Sequence, residues 1–355
     1  MSYKDALISD LVQLGHYFQR FSEENPSLIS SIEQQFYESM YKASYKNPWF
    51  DRDNIAFALK TWSALLTEDK LNKWLSTYRL PTKKTDKCVA VISAGNIPLV
   101  GFHDLLCVLA CGHHALLKPS SNDTLSKSVI DLLVHINPNL KNRIQITDGP
   151  LKNFQAIIAT GSDNTARYFE YYFGNKPHVF RKNRNSVAVI DSNTDDAALE
   201  RLGEDIFRYY GLGCRSISSL FLPKGFNLDR IFKAIFKWRH VVQHHKYANN
   251  YDYYKATYLV SNLPILENGF VLFREEPSFA SPIAVVHYSY YQSSDEVFKY
   301  IEEHRESLQC IAVDDCNKSI LDALNPLLVN FGNTQQPQLD DYADHIDTVD
   351  YLLKI

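Results

Sequence analysis

The sequence predicts an α/β protein with two parallel-type sheets, each covered by helices on both faces, behind an N-terminal helical segment. From residue 87 onward, short apolar runs alternate with helical patterns, and small polar residues follow most of the runs. The length supports this class, because 355 residues are enough for two separate cores. We therefore expect ligands at the carboxyl ends of the strands.

The pattern divides the chain into four parts. They are an N-terminal helical segment over 1–80, a nucleotide-binding domain over 81–190, a catalytic domain over 191–325, and a C-terminal tail over 326–355. In the first part, apolar residues recur at helical spacing, as in Leu7, Leu11 and Leu14, with Asn25-Pro26 as a break. The tail is a candidate oligomerisation arm.

The remaining elements follow from periodicity and turn residues. Strands are expected over 88–92, 115–117, 143–147, 154–159, 186–190, 217–222, 269–273, 282–286 and 310–313. One helix is expected in the region just before Gly112. Further helices are expected over 124–136, 164–173, 197–210, 227–247, 294–307 and 318–324. Asp195 and Asp196 suit the first turn of the helix over 197–210.

The ends of the first strands carry small polar residues and one lysine. These residues are Asn96, Lys118, Ser120, Gly161 and Ser162. Backbone donors beside glycine and serine suit the phosphates and ribose of a dinucleotide. The chain has no Gly-x-Gly-x-x-Gly, so the usual dinucleotide fingerprint is absent.

The candidate nucleophile lies in Gly211-Leu-Gly-Cys-Arg-Ser216, directly before the apolar run 217–222. A cysteine between a glycine-bearing turn and a buried strand can present its sulfur to a cleft. Taken alone, Cys214 has a second interpretation as a buried structural residue, because free cysteine is commonly buried. The order of the surrounding elements favours the catalytic interpretation.

Composition excludes several classes of protein. The net charge is -4, from 37 Lys and Arg against 41 Asp and Glu, without a block of one sign, which argues against a nucleic-acid partner. Six cysteines form no CxxC pair, and the first residues lack a signal-peptide pattern, so we expect reduced thiols and a cytoplasmic protein. The apolar stretch 105–117 is too short and interrupted to span a membrane.

Two histidine-containing groups raise the question of zinc. His240 and His244 have the i, i+4 spacing, and His245 follows, but there is no HExxH pattern and no evident third ligand. We expect surface histidines there. Apolar neighbours around Cys107, Cys111, His113 and His114 favour a buried helix, so no metal site is predicted.

Several motifs together resemble the aldehyde dehydrogenase superfamily, in their order and approximate spacing. Ser93-Ala-Gly-Asn-Ile-Pro98 is similar to the family's Pro-Trp-Asn-Phe-Pro turn, and Lys118-Pro-Ser-Ser121 to its Lys-Pro-Ser-Glu. Ala159-Thr-Gly-Ser162 is similar to Phe-Thr-Gly-Ser, the stretch into Cys214 to the region of Gly-Gln-x-Cys, and Glu275-Glu276-Pro-Ser-Phe279 to Glu-x-Phe-Gly-Pro. The resemblance covers residues 87–290 and implies the aldehyde-dehydrogenase-like fold.

One difference from the superfamily's motifs indicates which branch the chain resembles. Hydrolytic members carry Glu-Leu-Gly-Gly-Lys, whose glutamate activates water, where this chain reads Phe180-Arg-Lys-Asn-Arg-Asn185. A chain that retains the cysteine and lacks the water base resembles the acyl-CoA reductases of the LuxC type. That resemblance implies NADPH-dependent reduction of an acyl-CoA or acyl-protein thioester, with a fatty chain, to the aldehyde.

The resemblance also implies residue roles. Cys214 would carry the acyl group, and the Asn96 amide with the Cys214 backbone N–H would stabilise the oxyanion. Lys118 would hydrogen-bond the adenosine ribose, Gly161 and Ser162 would face the pyrophosphate, and Ser120 is a further cofactor-binding candidate. Glu275 or Glu276 would orient the nicotinamide ribose. Ser121 stands where many NAD-specific relatives have a glutamate, which favours NADPH because no carboxylate repels the 2′-phosphate.

Two alternative functions remain at this point. One is an aldehyde or semialdehyde dehydrogenase that releases its acyl group to CoA or phosphate. The other is a non-catalytic nucleotide-binding or scaffold subunit, against which the presence of both Cys214 and Asn96 speaks. The resemblance further implies a homo-oligomer, with an acyl-protein synthetase as a candidate partner.

Overall fold

The structure is a computed structural model that describes residues 2–24, 26–27, 30–314, 324–325 and 327–355, with Asp163 described by its backbone alone. The chain forms two compact units. The first unit contains residues 1–182 and 338–355, and the second contains residues 183–337. Each is described below by itself.

The first unit begins with four helices that the apolar periodicity predicted. The helices of this unit are α1 (Tyr3–Phe21), α2 (Ser31–Lys46), α3 (Arg52–Leu65), α4 (Glu68–Ser76), α5 (Phe102–Ala110), α6 (Leu125–Ile136), α7 (Asp163–Phe173) and, at the C-terminus, α12 (Thr348–Leu353). Ser2, Ser30, Asp51 and Thr67 accept backbone hydrogen bonds at the N-termini of the first four. Such caps satisfy donors that a helix leaves unpaired.

The first sheet has five parallel strands in the order β3-β2-β1-β4-β5. Its strands are β1 (Cys88–Ile92), β2 (His114–Lys118), β3 (Ile144–Ile146), β4 (Ala156–Thr160) and β5 (His178–Arg181). Ile92, the last residue of β1, pairs with Lys118 in β2 and with Ala159 in β4. The ends of these three central strands therefore lie side by side.

Alternation along β1 shows how both faces of this sheet are covered. Val89 and Val91 belong to a large core with α1, α5 and α6, whereas Ala90 packs with Ile157 and Phe169 on the other side. Because successive side chains of a strand point to opposite faces, a continuous apolar run is buried on both.

Residues 338–355 of the C-terminal tail pack within the first unit, whereas residues 327–337 belong to the second. Val349 and Leu352 are fully buried in its core. The Tyr342 hydroxyl accepts a hydrogen bond of 2.8 Å from Trp74 Nε1, and His113 Nε2 lies 3.0 Å from the Leu352 carbonyl oxygen. This packing differs from the prediction of a separate tail over 326–355, because the aromatic and aliphatic residues of its last third find apolar partners in their own chain.

The second unit is built on a seven-stranded sheet in the order β12-β11-β6-β7-β10-β9-β8. Its strands are β6 (Asn185–Val189), β7 (Ile217–Pro223), β8 (Leu266–Glu267), β9 (Leu272–Glu275), β10 (Val285–Tyr291), β11 (Leu308–Val313) and β12 (Leu328–Asn330). Its helices are α8 (Asp196–Phe207), α9 (Leu228–Ala234), α10 (His245–Val260) and α11 (Ser294–Glu303). Every pairing is parallel except that of β8 with β9.

The domain boundary near residue 190 is the clearest difference from the sequence-based division. β6 pairs with β7 and β11 of the second sheet, so it does not belong to the nucleotide-binding part over 81–190. Periodicity identifies a buried strand but carries no information about its partners. The first unit also includes the helices of 1–80, which contribute to one core with the first sheet.

Several elements differ from the prediction. β5, β8 and β12 are strands that the sequence analysis did not identify, and all three lie at sheet edges. The helix expected over 227–247 consists of α9, a 3-10 segment over Ile235–Gln243 and the start of α10. The helix expected over 318–324 lies almost entirely outside the described residues.

The predicted fold class is confirmed, with two covered, mainly parallel sheets and an N-terminal set of helices. Within the described part of the chain, no helix has both the length and the apolar composition that crossing a bilayer requires.

Candidate active site

In the first unit, the predicted cofactor-binding residues lie along one edge of the sheet. Asn96 is in the turn after β1, Lys118 ends β2 and Ser120 follows it, while Gly161 and Ser162 come directly after β4. Since β2, β1 and β4 are adjacent and parallel, these segments leave the sheet at the same edge. The structure thus brings together the residues that the sequence placed at separate strand ends.

The turns after β1 and β2 approach each other closely at Gly95. A Cβ atom at this position would lie 2.7 Å from the Cβ of Ser120, so glycine is required by the space. The Gly95 carbonyl oxygen accepts a hydrogen bond of 2.7 Å from Asn47 Nδ2. Asn47 is 3% exposed and caps the C-terminus of α2, so a helix of the N-terminal segment positions the Asn96 turn.

Lys118 is held by the segment that follows β3. Its Nζ donates hydrogen bonds to the carbonyl oxygens of Gly149 at 2.6 Å and Asp148 at 3.3 Å. Ser121 is exposed three residues further on. The Ser120 carbonyl oxygen accepts from the backbone N–H of Asp123, whose side chain binds Ser126 at the start of α6. The lysine and both serines therefore lie on a fixed turn.

Ser162 forms the N-cap of α7. Its hydroxyl oxygen accepts a 3.3 Å hydrogen bond from the Thr165 backbone N–H, and it lies 2.9 Å from the Thr165 hydroxyl. A Cβ atom on Gly161 would meet Thr165 Cβ at 3.0 Å. The backbone after β4 thus turns tightly into a helix N-terminus, where the macrodipole favours an anion.

In the second unit, Cys214 lies at the corner of a β-turn formed by residues 213–216. The Ser216 N–H donates 2.9 Å to the Gly213 carbonyl oxygen, and the Gly213 N–H donates 3.3 Å to the Ser216 hydroxyl oxygen. Ser216 is buried, whereas Cys214 is exposed. β7 begins at Ile217, so the turn is anchored at the edge of a buried strand.

The residues before this turn have left-handed backbone angles. Tyr209, Tyr210 and Gly211 have φ values of 56°, 58° and 75°. Non-glycine residues in this region are strained and are retained where the surroundings impose them. The helix expected to extend to residue 210 therefore ends at Phe207. The ring of Tyr210 packs on His244 at a centroid distance of 4.3 Å.

Ser186, the second residue of β6, contacts the Cys214 backbone. Its hydroxyl donates 2.8 Å to the Cys214 carbonyl oxygen and accepts 3.2 Å from the Cys310 backbone N–H. The Cys310 sulfur lies 3.1 Å from the same hydroxyl. Burial raises the pKa of the Cys310 thiol to about 12, so this second cysteine stays a neutral thiol beneath the turn.

Exposure separates Cys214 from the other described cysteines. Cys107, Cys111 and Cys310 are buried and Cys88 is half-buried, and all five described cysteines are free thiols. Burial raises the pKa of Cys111 to about 12 and that of Cys107 well above its usual value. A neutral buried thiol is a poor nucleophile. Cys214 is therefore the best-placed nucleophile among the described cysteines.

The segment from Glu275 to Phe279 follows β9 and is held by side chains from neighbouring elements. Ser218 Oγ donates 2.6 Å to the Phe279 carbonyl oxygen, and the Tyr300 hydroxyl donates 3.1 Å to that of Pro277. His287 Nδ1 lies 2.8 Å from the Ser278 carbonyl oxygen.

The two glutamates of this segment have different surroundings. Glu275 is exposed, while Glu276 forms an ion pair of 2.9 Å with Arg274. β9, which ends at Glu275, and β7, which follows the cysteine turn, both pair with β10. Ser218 of β7 links the two regions through its bond to Phe279.

The histidine groups considered for zinc have structural contacts. His244 caps the N-terminus of α10 and its ring lies 5.1 Å from that of His245. Cys107 and Cys111 are buried at α5 and just beyond its end, as the apolar pattern predicted. Among the described residues, no group of three or more His, Cys, Asp or Glu side chains is arranged to hold a metal ion.

Sequence reasoning missed several residues that hold these turns. They are Asn47, Ser186, Asp205, Ser218 and Thr334. Of these residues, only Asp205 could have been recognised in the sequence, because it is a carboxylate on the apolar face of α8, beside Leu202 and Ile206. Ser186 and Ser218 in apolar runs, and Thr334 in a polar stretch, carry no comparable signal.

Fold and site together define an α/β protein of the aldehyde-dehydrogenase-like class, with an exposed cysteine on a tight turn. The acyl-CoA reductase (LuxC) family model matches residues 16–233, more than half of the chain. The chain belongs to this family. The matched range contains Asn96, Lys118 and Cys214. Among curated protein sequences, none matches the chain.

Solved structures with the same fold include three dehydrogenases of low sequence identity. Indole-3-acetaldehyde dehydrogenase complexed with NAD+ is 14% identical, with a TM-score of 0.64 over 93% of this chain and 81% of its own. Aldehyde dehydrogenase 21 from Physcomitrella patens, in complex with the product succinate, is 15% identical, with a TM-score of 0.64 over 99% and 87%. An acetylating aldehyde dehydrogenase from Geobacillus thermoglucosidasius is 9% identical, with a TM-score of 0.61 over 93% and 84%.

Proposed function

We propose that the protein reduces a fatty acyl thioester to the aldehyde with NADPH, through an acyl group carried on Cys214. The observation that carries this proposal is the exposed position of Cys214 on a braced turn, within a chain of the acyl-CoA reductase family. Acyl-CoA is the simplest donor. An acyl-protein thioester, delivered by an acyl-protein synthetase partner, is the second donor to test.

The proposed reaction begins with attack of the Cys214 thiolate on the thioester carbonyl carbon. The bond to the donor sulfur breaks, the donor leaves as a thiol after taking up a proton, and the acyl group remains on Cys214. The family resemblance assigns stabilisation of the oxyanion to the side-chain amide of Asn96 and the backbone N–H of Cys214. Loss of one such donor typically costs about 10²–10³ in rate.

NADPH held by Lys118, Ser120, Gly161 and Ser162 would supply the hydride that reduces the acyl group. Cys214 is then expelled as thiolate when the carbon–sulfur bond breaks, and the aldehyde is released. Hydrolytic relatives have a water-activating glutamate in the region where this chain reads Phe180-Arg-Lys-Asn-Arg-Asn185. This stretch contains no carboxylate, which supports reduction over hydrolysis. The proposed site is thus suited to two half-reactions at one cysteine.

The strand ends of the first unit fit a nicotinamide dinucleotide. A helix N-terminus capped by Ser162 and the tight backbone at Gly161 suit the pyrophosphate. Lys118 provides a fixed cation for the adenosine ribose, beside Ser120. Ser121 is exposed and carries no charge, which favours a 2′-phosphate and hence NADPH. The family resemblance assigns orientation of the nicotinamide ribose to Glu275 or Glu276.

The test is NADPH consumption with a panel of acyl-CoAs of increasing length, on the wild type and on Cys214→Ser, with aldehyde trapping and mass analysis. We expect turnover with CoA release and acyl mass on Cys214, and no aldehyde formation from the variant. Cys88→Ser is the matched control, because Cys88 is a half-buried cysteine in the first unit. Absence of both turnover and acylation with acyl-CoA and acyl-protein donors would contradict the proposal. Aldehyde oxidation that requires CoA or phosphate, without reduction of any thioester, would favour the acylating dehydrogenase.

A further inference from the structure

The buried carboxylate of Asp205 lies on α8, in the helix that precedes the cysteine turn. Asp205 is 0% exposed. Its carboxylate accepts hydrogen bonds from the Gly332 N–H at 2.6 Å, the Thr334 N–H at 3.0 Å and the Thr334 hydroxyl at 2.8 Å. A buried carboxylate requires such donors, because burial without them is costly. Asp205 thus fixes the segment 332–334 onto α8.

The same segment binds the residues on the C-terminal side of Cys214. Arg215 Nη1 donates 3.3 Å to the Thr334 carbonyl oxygen. Gln335 Nε2 donates 3.2 Å to the Ser216 hydroxyl oxygen, which also accepts from the Gly213 N–H. The segment over 332–335, named here the clamp loop, therefore contacts the turn that carries Cys214.

These contacts form a chain of hydrogen bonds from α8 to the cysteine turn. Asp205 holds the clamp loop, the clamp loop holds Arg215 and Ser216, and Ser216 closes the turn onto Gly213. Gly332 has φ +86°, and a Cβ atom there would meet Arg201 at 3.1 Å, so the loop passes close to α8 at a position that requires glycine. The turn is thus held through an anchor about ten residues earlier in the chain.

We propose that Asp205 is a positioning residue for Cys214, acting through the clamp loop on Arg215 and Ser216. The proposal rests on the proposed role of Cys214 as nucleophile. Arg215 directly follows Cys214 in the turn, and its charge partly offsets the burial that raises the pKa of the Cys310 thiol, which contacts the Ser186 hydroxyl bound to the Cys214 carbonyl oxygen. The clamp loop therefore holds a guanidinium in the neighbourhood of Cys214, where a positive charge favours the thiolate.

The test compares Asp205→Asn and Thr334→Val with two matched controls. The asparagine introduced by Asp205→Asn would present amide N–H groups toward the donors of the clamp loop, and Thr334→Val removes the hydroxyl donor while keeping the shape. Thr334→Ser retains the hydroxyl and is the conservative rescue. Glu200→Gln removes an exposed carboxylate from the same helix. Thermal unfolding checks that each variant is folded.

The first readout is the rate of Cys214 alkylation by iodoacetamide from about pH 6 to 9, followed by peptide mass analysis. This reaction needs no acyl donor or cofactor. We expect alkylation at neutral pH to slow roughly fivefold in Asp205→Asn and Thr334→Val, with the midpoint at higher pH. Thr334→Ser and Glu200→Gln should match the wild type. The second readout is turnover, where kcat should fall roughly tenfold with little change in the KM for NADPH.

An unchanged alkylation profile in a folded Asp205→Asn or Thr334→Val variant would overturn the inference. If Asp205→Asn does not fold, Thr334→Val decides, because it removes a single hydrogen bond. Altered alkylation with no acyl-thioester reduction by the wild type would support the positioning role and contradict the proposed function. If both variants reduce the acyl thioester and are alkylated at the wild-type rate, the proposed function is supported and the positioning role of Asp205 is contradicted.

Discussion

The hydroxyl of Ser186 donates a hydrogen bond of 2.8 Å to the carbonyl oxygen of Cys214. The oxygen of the same hydroxyl accepts from the Cys310 backbone N–H in the neighbouring strand β11. One buried side chain thus ties the cysteine turn to the centre of the second sheet. A polar side chain here takes the place of regular backbone pairing, so its removal should affect both the stability of the unit and the position of the cysteine.

Ser186→Ala removes the hydroxyl that makes both hydrogen bonds and keeps the Cβ atom of the side chain. We expect a loss of about 1–2 kcal/mol in the free energy of unfolding, because two buried backbone groups lose a partner. Turnover at Cys214 should fall about tenfold, since the turn is less well positioned. Urea unfolding and steady-state kinetics measure the two effects. Ser192→Ala, at an exposed position of the same unit, should change neither the free energy of unfolding nor turnover. Equal effects of the two substitutions would contradict the role of Ser186 in positioning the cysteine turn.

Ser121→Glu places a carboxylate at the exposed position after Ser120. We expect the KM for NADPH to rise about tenfold or more, because the carboxylate repels the 2′-phosphate, while the KM for NADH changes little. Steady-state kinetics with both cofactors measure the ratio. Asn122→Glu adds the same charge at the next exposed residue and is the control. A wild type that already prefers NADH would refute the cofactor assignment.

Asp104→Asn tests the buried ion pair of the first unit. Asp104 Oδ1 lies 2.5 Å from Arg181 Nη2, which also donates 3.0 Å to the Thr348 hydroxyl near the C-terminus. Neutralising the carboxylate leaves a buried guanidinium without its counter-ion, so we expect a loss of about 3 kcal/mol or more. Asp131→Asn, on the exposed side of α6, should be neutral. A melting temperature unchanged by Asp104→Asn would show that the pair contributes nothing net.

The pH dependence of stability should contain a contribution from Asp205. Burial and the negative charge of Glu204 raise the pKa of its carboxyl, whereas the hydrogen bonds from Gly332 and Thr334 lower it. The resulting pKa is about 6. The folded state then binds the proton more tightly than the unfolded state, so stability is gained as pH falls from about 6 to 4 and is lost as pH rises.

Asp205→Asn removes this titration. We expect the stability of the wild type relative to the variant to increase by roughly 3 kcal/mol at most between about pH 7 and pH 4.5. Urea unfolding of both proteins at the two pH values measures the difference. A constant difference would mean that the Asp205 pKa is the same in the folded and unfolded states.

Much of the fold is predictable because burial imposes local periodicity. β1 is apolar throughout, since both faces of its sheet are covered, and the first helices repeat their apolar residues at helical spacing. Strand ends are marked by small polar residues, so Asn96, Lys118 and Gly161 are recognisable as candidates. The exposed cysteine is recognisable by the glycines before it and the apolar run after it.

Other features depend on pairing between distant segments. The sequence by itself determined the α/β class, the strand ends and the nucleophile candidate, because each depends on residues close together in the chain. Only the tertiary structure decided that β6 joins the second sheet, that residues 338–355 pack within the first unit, and that Asp205 and Ser186 brace the turn of Cys214. The contact between Asp205 and Thr334, for example, joins residues 129 positions apart. The physical reason is that a serine or aspartate acquires such a role from the partner that folding brings to it, and local periodicity carries no record of that partner.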